Sequence, residues 1–316
     1  MSDFDDLTEL SDKQVWERFN DVQDADRAEC LYELSRRSYS KSDYKTALIL
    51  AEQSRDLLLA LGELANAAEL ANTYIAVGVN ASNLNKHELV IENVEKALAI
   101  TKENELNNRF EDYDILATAY ECTEQFEKAI DLHNWMLENY SNQDDEIGCA
   151  SHLAQIAANY GGLKQYDQAL LKAESALEIA LRIEDTGLTL LIQTHIAEYL
   201  YELGQYDEAF EKVDQLMNSY QILNNDEKII ELKYLRCQIL WMQDKTDQSF
   251  ADLLDLSKEV KDTNEESIQQ RITIEKSIIR CLEQMGGRVN RKEAQMRQKK
   301  LDDLEKLTLK IENKIN

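Results

Sequence analysis

LGQYDEA, residues 203–209, holds no catalytic residue type beyond two carboxylates, yet close variants of it recur along the chain. Each variant places an aromatic residue, or a substitute for one, three positions before a small residue. The matches are Tyr44/Ala47, His87/Val90, Phe126/Ala129, Tyr166/Ala169, Tyr206/Ala209 and Thr246/Ser249, with a looser seventh at Arg291/Ala294. The anchor numbers step by 43, 39, 40, 40 and 40, and the seventh follows at 45. So regular a period marks an internal repeat, each copy one supersecondary unit.

Two helical patterns flank each anchor. Leu190, Ile192, Ile196, Leu200 and Leu203 precede Tyr206, and Ala209, Phe210, Val213 and Leu216 follow it. Spacings of three and four put each set on one apolar stripe, so the unit reads as an αα-hairpin. The small residue after the anchor has a steric reason: packed helix axes approach to about 8–10 Å, where a methyl fits and an isobutyl does not. Gly204 and Gly162 fall near the connection and are expected to supply left-handed C-cap conformations there.

Composition agrees with an array of long helices. The 316 residues include no proline and 9 glycines, with 43% hydrophobic and 30% charged residues. An all-α fold is expected. The formal charge of −26 disfavours broad attraction to phosphate backbones or anionic membranes and favours basic partners. Cys30, Cys122, Cys149, Cys237 and Cys281 are scattered, odd in number and without a CxxC pair, which suggests neither a disulfide framework nor a zinc site. The N-terminal MSDFDDLTEL is acidic where a secretory signal is basic, and no stretch reaches the roughly 18 apolar residues of a membrane span. A cytoplasmic location is expected.

The segments GLKQYDQALLKAESALEIA (162–180) and ELGQYDEAFEKVDQL (202–216) resemble tetratricopeptide repeats. In the fourth unit the matching residues are Leu153, Ile156, Ala157, Tyr160, Tyr166, Ala169, Ala173 and Ala176. In the third they are Tyr113, Leu116, Ala117, Tyr120, Phe126, Ala129, His133 and Met136. The resemblance spans about residues 28–301 and implies a right-handed superhelical solenoid of stacked antiparallel hairpins. The period near 40 exceeds the family's usual 34, and the proline that closes its second helix is missing. Similar lengthened repeats occur in kinesin-light-chain-type arrays and in peptide-sensing regulators of Gram-positive bacteria. The sixth unit departs furthest, with Lys233 and Arg236 at positions expected to be apolar.

Three segments follow from this reading. Residues 1–27 form an acidic N-terminal segment with a short capping helix, where Ser11 and Gln14 make a capping-box pattern ahead of Val15, Trp16 and Phe19. Residues 28–287 form the repeat array. Residues 288–316 form a basic helix of charge +4, leaving −30 on the rest, with a stripe of Leu301, Leu304, Ile311 and Ile315 that completes a seventh repeat or caps the array.

The resemblance also implies where a partner binds, since the family lines its concave wall with the first helix of each hairpin. The groove-facing positions lie 15, 12, 8, 5 and 4 residues before each anchor. Transferred here they carry eight acidic and two basic residues out of 35, so the groove is expected to be negative. The candidate binding residues are Tyr32, Tyr39, Glu111, Asp114, Glu121, Glu198, Tyr201, Glu202, Glu231, Tyr234 and Trp241. Tyr32 with Tyr39, and Tyr201 with Tyr234 and Trp241, are expected to clasp apolar or cationic side chains.

Catalytic signatures are missing: the chain has no GxxxxGK[ST] loop, no HExxH and no GxSxG. His195 and Glu198, one turn apart, are the nearest approach to a metal pair, with His152 as a third ligand from the preceding repeat, but ordinary helical spacing favours a structural histidine. His133 and His87 occupy packing positions of the family. No catalytic residue, cofactor or metal is therefore expected. The reading is a non-catalytic scaffold or adaptor that binds a peptide or protein segment, basic or amphipathic, in an acidic groove, with no direct nucleic-acid contact and no membrane. The alternative is a peptide-sensing regulator resembling the Gram-positive proteins. The segment ahead of the first repeat is too short for their usual output module, so such a regulator would act through a partner protein.

Overall fold

A computed structural model describes residues 7–106, 110–260 and 265–315 of the chain. Among the described residues there are fifteen α-helices and no strand. They are α1 (Asp12–Asp21), α2 (Asp24–Ser40), α3 (Tyr44–Leu61), α4 (Ala67–Ser82), α5 (His87–Glu103), α6 (Phe110–Cys122), α7 (Phe126–Asn142) and α8 (Glu146–Gly162), then α9 (Tyr166–Arg182), α10 (Thr186–Glu202), α11 (Tyr206–Ile222), α12 (Asp226–Met242), α13 (Thr246–Glu259), α14 (Glu265–Met285) and α15 (Gly287–Ile315).

Every one of the six regular anchors is the first residue of a helix: Tyr44, His87, Phe126, Tyr166, Tyr206 and Thr246 open α3, α5, α7, α9, α11 and α13. The small residue three positions on is sealed in each case, with Ala47, Val90, Ala129, Ala169 and Ala209 at 0% exposure and Ser249 at 1%. The long period has a simple origin. From α7 to α12 each helix has 17 residues and each connection three, so two helices with their two turns span the whole repeat.

The turns explain why proline is unnecessary. The residue two before each anchor is left-handed: Ser42, Asn85, Glu124, Lys164, Gly204 and Asp244 have φ between 54° and 76°. The next residue donates its N–H back to the last turn of the preceding helix, as Gln125 does to the Tyr120 carbonyl (2.8 Å), Gln205 to Leu200 (2.8 Å) and Lys245 to Leu240 (2.9 Å). This is the Schellman arrangement, which ends a helix by satisfying its orphan carbonyls. The connections between hairpins repeat it at Glu105, Asp144, Glu184 and Asn224, and Asp145, Asp185 and Asn225 then cap the next helix through their side chains. Gly204 is thus left-handed as expected, but Gly162 is not. It ends α8 in helical conformation, and a Cβ there would meet the Phe126 ring at 2.7 Å, so it is kept small by packing while Lys164 takes the strained position.

The chain divides into two compact units, residues 1–164 and 165–316. In the first, consecutive helices from α1 to α8 pack on one another, and α4 also lies against α2 and α6. Its main core holds Leu48, Tyr74, Ile75, Val77, Val94, Leu116 and Tyr120. A smaller core at the N-terminal end gathers Leu7, Val15, Cys30, Leu31 and Leu34 beneath α1, with Phe19 partly buried against it. The capping box forms there: Ser11 accepts from the Gln14 N–H, and Gln14 Oε1 accepts from the Ser11 N–H at 2.9 Å.

The second unit packs α9 to α15 in the same consecutive manner. The sixth hairpin keeps full register despite its charges, because Lys233 pairs with Glu259 at 2.5 Å and Arg236 with Asp252 at 2.8 Å. In the seventh hairpin the second helix begins at Gly287, ahead of Arg291. That correction follows from the left-handed pair Gly286 and Gly287, which turns the chain earlier. Ala294, Leu301 and Leu304 of α15 are buried; the Ile311 and Ile315 side chains lie outside the described residues. The basic residues of α15 clamp α14. Glu275, with no exposed surface, accepts from Arg297 Nη1 (2.7 Å), Lys300 Nζ (2.7 Å) and Ser257 Oγ (2.8 Å).

Candidate interaction site

Helical phase puts positions 12, 8 and 5 before an anchor on one side of the first helix, spaced by four and then three. In the second unit this row brings aromatic residues from α10 and α12 to one place. Tyr201, Tyr234 and Trp241 line a cleft of about 160 Å³ together with Gln238, Ser277 and Arg280. Tyr234 is held there by a hydrogen bond between its hydroxyl and Ser277 Oγ, 2.9 Å away on α14. Tyr201 is tilted against the anchor Tyr206 at 5.9 Å. Each of these two rings thus has one edge fixed by the scaffold and another side facing the cleft.

Arg280 lies outside the positions carried over from the family. It reaches the cleft of Tyr234 and Trp241 from α14, which has 21 residues, together with Ser277. Cys237 and Cys281 also line the cleft, and burial pushes their thiols up to about 12 and about 11, so both are neutral, unreactive walls at physiological pH.

The acidic residues of the same face behave differently from one another. Glu198 on α10 is exposed to water, yet burial of its surroundings, and then the nearby Glu231, raise its pKa above the ordinary glutamate value. Among the described residues it has no ion pair. Glu231 is paired with Lys228 at 2.6 Å, and Glu202 is exposed at the end of α10, beside Tyr201. A carboxylate that is partly desolvated and unpaired is a place where an added cation lowers the free energy. His195, one turn before Glu198, is half-buried beside Tyr199 at 6.2 Å, and burial followed by Lys228 lowers its pKa.

In the first unit the expected aromatic pair is not assembled. Tyr32 lines a cleft of about 160 Å³ with Glu29, Glu69 and Asn72, whereas Tyr39 packs edge-on against the anchor Tyr44 at 5.4 Å. Two helical turns separate the tyrosines, and each is taken by a different neighbour. Glu69 is pushed up by burial and then by Glu29 and Asp26, so this cleft is acidic too.

The third-repeat acids are drawn elsewhere. Glu111 is exposed on α6. Glu121 Oε1 accepts from His133 Nε2 (3.0 Å) and Asn159 Nδ2 (2.6 Å), and Asp114 lies beside His133 and His152. The two histidine Nδ1 atoms are 3.1 Å apart, and Tyr140 stacks on His152 at 5.0 Å. His152 therefore belongs with His133, on α7 and α8 of the first unit, and not with His195 and Glu198. The repeat pattern marks His133 for packing, and it is buried; its partnership with His152 escapes that pattern because it joins the second helix of one hairpin to the first helix of the next.

No family model matches the chain, and no curated protein matches it in sequence. Solved structures do. The chain is similar to a tetratricopeptide repeat protein from Parabacteroides merdae, with TM-score 0.59 at 18% identity over 89% of this chain and 98% of that one. It is similar to the apo form of RapI, with TM-score 0.57 at 13% identity over 89% of this chain and 99% of that one. It also resembles a multidomain signal-transduction ATPase with a tetratricopeptide-repeat sensor from Pyrococcus horikoshii, with TM-score 0.60 at 13% identity, covering 94% of this chain but 46% of the ATPase. The period, the hairpins with their sealed crossings, and these likenesses together establish that the chain has the tetratricopeptide-repeat fold, built on a lengthened unit.

Proposed function

We propose that this protein is a non-catalytic interaction scaffold whose first-helix faces bind a peptide or protein segment that is basic and amphipathic. The observation that carries the reading is the neighbourhood of Glu198. An unpaired, partly desolvated carboxylate lies on the same row of the second unit as the Tyr201–Tyr234–Trp241 cleft. An apolar or aromatic side chain suits the cleft, whose rings offer area at little entropic cost, and a Lys or Arg on the same segment suits Glu198 and Glu202. Arg280 adds a discriminating element: it favours an acidic group or free carboxylate next to the inserted side chain and disfavours a segment that is basic throughout.

The acidic cleft around Tyr32 and Glu69 offers the first unit a similar though weaker chemistry. No described helix is long and apolar enough to cross a membrane, and with −26 net charge the partner is a protein segment and not a nucleic acid. Burial of three of the five thiols, Cys30, Cys237 and Cys281, suits a cytoplasmic, reducing setting.

Selection of a random displayed peptide library on the purified protein tests this directly. The expected consensus is an aromatic or large apolar residue with a Lys or Arg on one side and an acidic residue or free carboxylate on the other, and its enrichment should vanish on Tyr234→Ala/Trp241→Ala protein. Enrichment of acidic peptides, or of the same consensus on the doubly substituted protein, would refute the reading.

A further inference from the structure

We infer that Asp114, His133 and His152 form a binding site for a divalent transition-metal ion of the zinc class, within the first unit and separate from the peptide cleft. One carboxylate oxygen of Asp114 and one ring nitrogen of each histidine lie within 4.8 Å of one another. His133 and His152 are 4% and 6% exposed, while Asp114 on α6 is half-exposed, so the cluster is walled on the histidine side and open on one other.

The hydrogen bonds around His133 set up a ligand. Glu121 is a carboxylate and can only accept, so the proton of His133 sits on Nε2, directed at Glu121 Oε1 at 3.0 Å. That leaves the lone pair of His133 on Nδ1. Asn159 Nδ2 donates to the same oxygen at 2.6 Å and keeps the carboxylate in place. A carboxylate holding the far nitrogen of a histidine is the usual support of a metal-bound imidazole, fixing both tautomer and ring angle.

The lone pair faces His152 Nδ1 at 3.1 Å. Without a metal, a proton on His152 bridges the two nitrogens. With Zn–N bonds of about 2.0–2.1 Å, two nitrogens on one tetrahedral ion lie about 3.3 Å apart, so an ion replaces that proton after a movement of a few tenths of an ångström. Asp114 closes the third position by a side-chain rotation, and its open side leaves the fourth for water or a donor from a partner. On binding, the His152 Nδ1 proton passes to solvent and no other bond of the protein breaks.

The repeat itself provides the control. Counted from the anchors, the positions of His133 and His152 correspond to Ala173 and Ile192 in the next unit and to Val213 and Leu232 in the one after, all buried. The earlier units close the same layer with Ala51 and Thr73 and with Val94 and Asp112, so it packs without histidine, and two facing histidines backed by a carboxylate are surplus to packing. A set of two nitrogens and one oxygen suits zinc and its first-row neighbours and not magnesium or calcium.

The test uses full-length, untagged protein treated with EDTA, dialysed against ZnCl₂ and assayed for bound metal, with CoCl₂ binding followed by its visible spectrum. One zinc per chain is expected, with a tetrahedral cobalt spectrum and no competition from excess Mg²⁺. Asp114→Asn, at a half-exposed position that does not threaten folding, should weaken binding at least tenfold, and His133→Gln or His152→Gln should abolish it. Glu121→Gln, a positioning change, should weaken it by about 10–100-fold while leaving the cobalt spectrum tetrahedral. His87→Gln and His195→Gln should bind as the wild type does. Failure of the wild-type protein to bind zinc, or binding undiminished by Asp114→Asn, would overturn the assignment.

Discussion

Glu275 and Glu198 are two glutamates of the second unit with opposite fates. Glu275 on α14 has no exposed surface, yet Arg297, Lys300 and Ser257 supply three hydrogen bonds to it. Burial alone would push its pKa up, but the bonds from Lys300, Ser257 and Arg297 together outweigh burial and hold it below the ordinary value. Glu198 on α10 touches water and has no ion-pair partner among the described residues, and its pKa is raised. The difference teaches that a carboxylate is better judged by whether its partners satisfy it than by its exposure. A buried acid with all its partners is scaffold, and an accessible acid lacking one is where the proposed recognition is assigned.

The sharpest way to break the comparison is to remove the satisfied acid. Glu275→Ala leaves Arg297 half-buried without this partner and should cost about 3 kcal/mol in urea or thermal unfolding. Its acid titration supplies a signed check. Because the folded pKa is depressed, the stabilisation is complete above the unfolded value of 4.5 and disappears as pH falls through the lower folded value. Wild-type protein should therefore lose stability steeply below pH 4.5, with a shallower limb in Glu275→Gln. Equal limbs would mean that the clamp is not formed.

The next effect concerns the crossing that holds α10 in place. Ala209→Leu must fit an isobutyl group where the existing methyl has no exposure, and should cost about 1–3 kcal/mol. It should also disturb the surroundings of Glu198, which depend on α10. An unchanged melting curve would place the hairpin crossing elsewhere. Smaller and of opposite sign, Glu184→Gly and Asp244→Gly should each stabilise the protein by about 0.5–1 kcal/mol, since both residues hold left-handed backbone at φ 57° and 60°. These touch neither glutamate and set the scale for pure backbone effects.

The smallest effect is expected at Glu198. With the folded pKa raised, ionisation opposes folding, so stability should rise slightly as pH falls through the folded value toward 4.5, the reverse of Glu275. Glu198→Gln should give a small increase in Tm at neutral pH, reduced by solvent screening at this exposed position. A Tm loss would mean that Glu198 has a structural partner.

Much of the scaffold was legible in sequence because its constraints are local. An anchor such as Tyr206 opens a helix, Ala209 must be small, and both recur at fixed spacing because helices and turns of constant length repeat. The turn residue was legible only in part: Gly204 is left-handed, but at the equivalent positions Glu124 and Lys164 conceal the same geometry behind a charged side chain. The site was less legible. Tyr201, Tyr234 and Trp241 stand at family positions and line one cleft, whereas Arg280, which lines it too, stands at none. His133 reads as a packing residue in the sequence, and His152 as a third ligand beside His195 and Glu198. Aligning each second helix with the first helix that follows it exposes the pair, since no other unit has histidine at either position.

The central claim, that Glu198 and Glu202 recognise a cationic residue of a segment seated beside the aromatic cleft, is tested most directly by a double-mutant cycle. A library-selected peptide and its Lys→Glu form are titrated calorimetrically against wild-type protein and against Glu198→Lys/Glu202→Lys. The account predicts that each change alone weakens binding and that the two together restore much of it, with a coupling of at least about 1 kcal/mol. Additive losses, with no recovery in the doubly reversed pair, would contradict it.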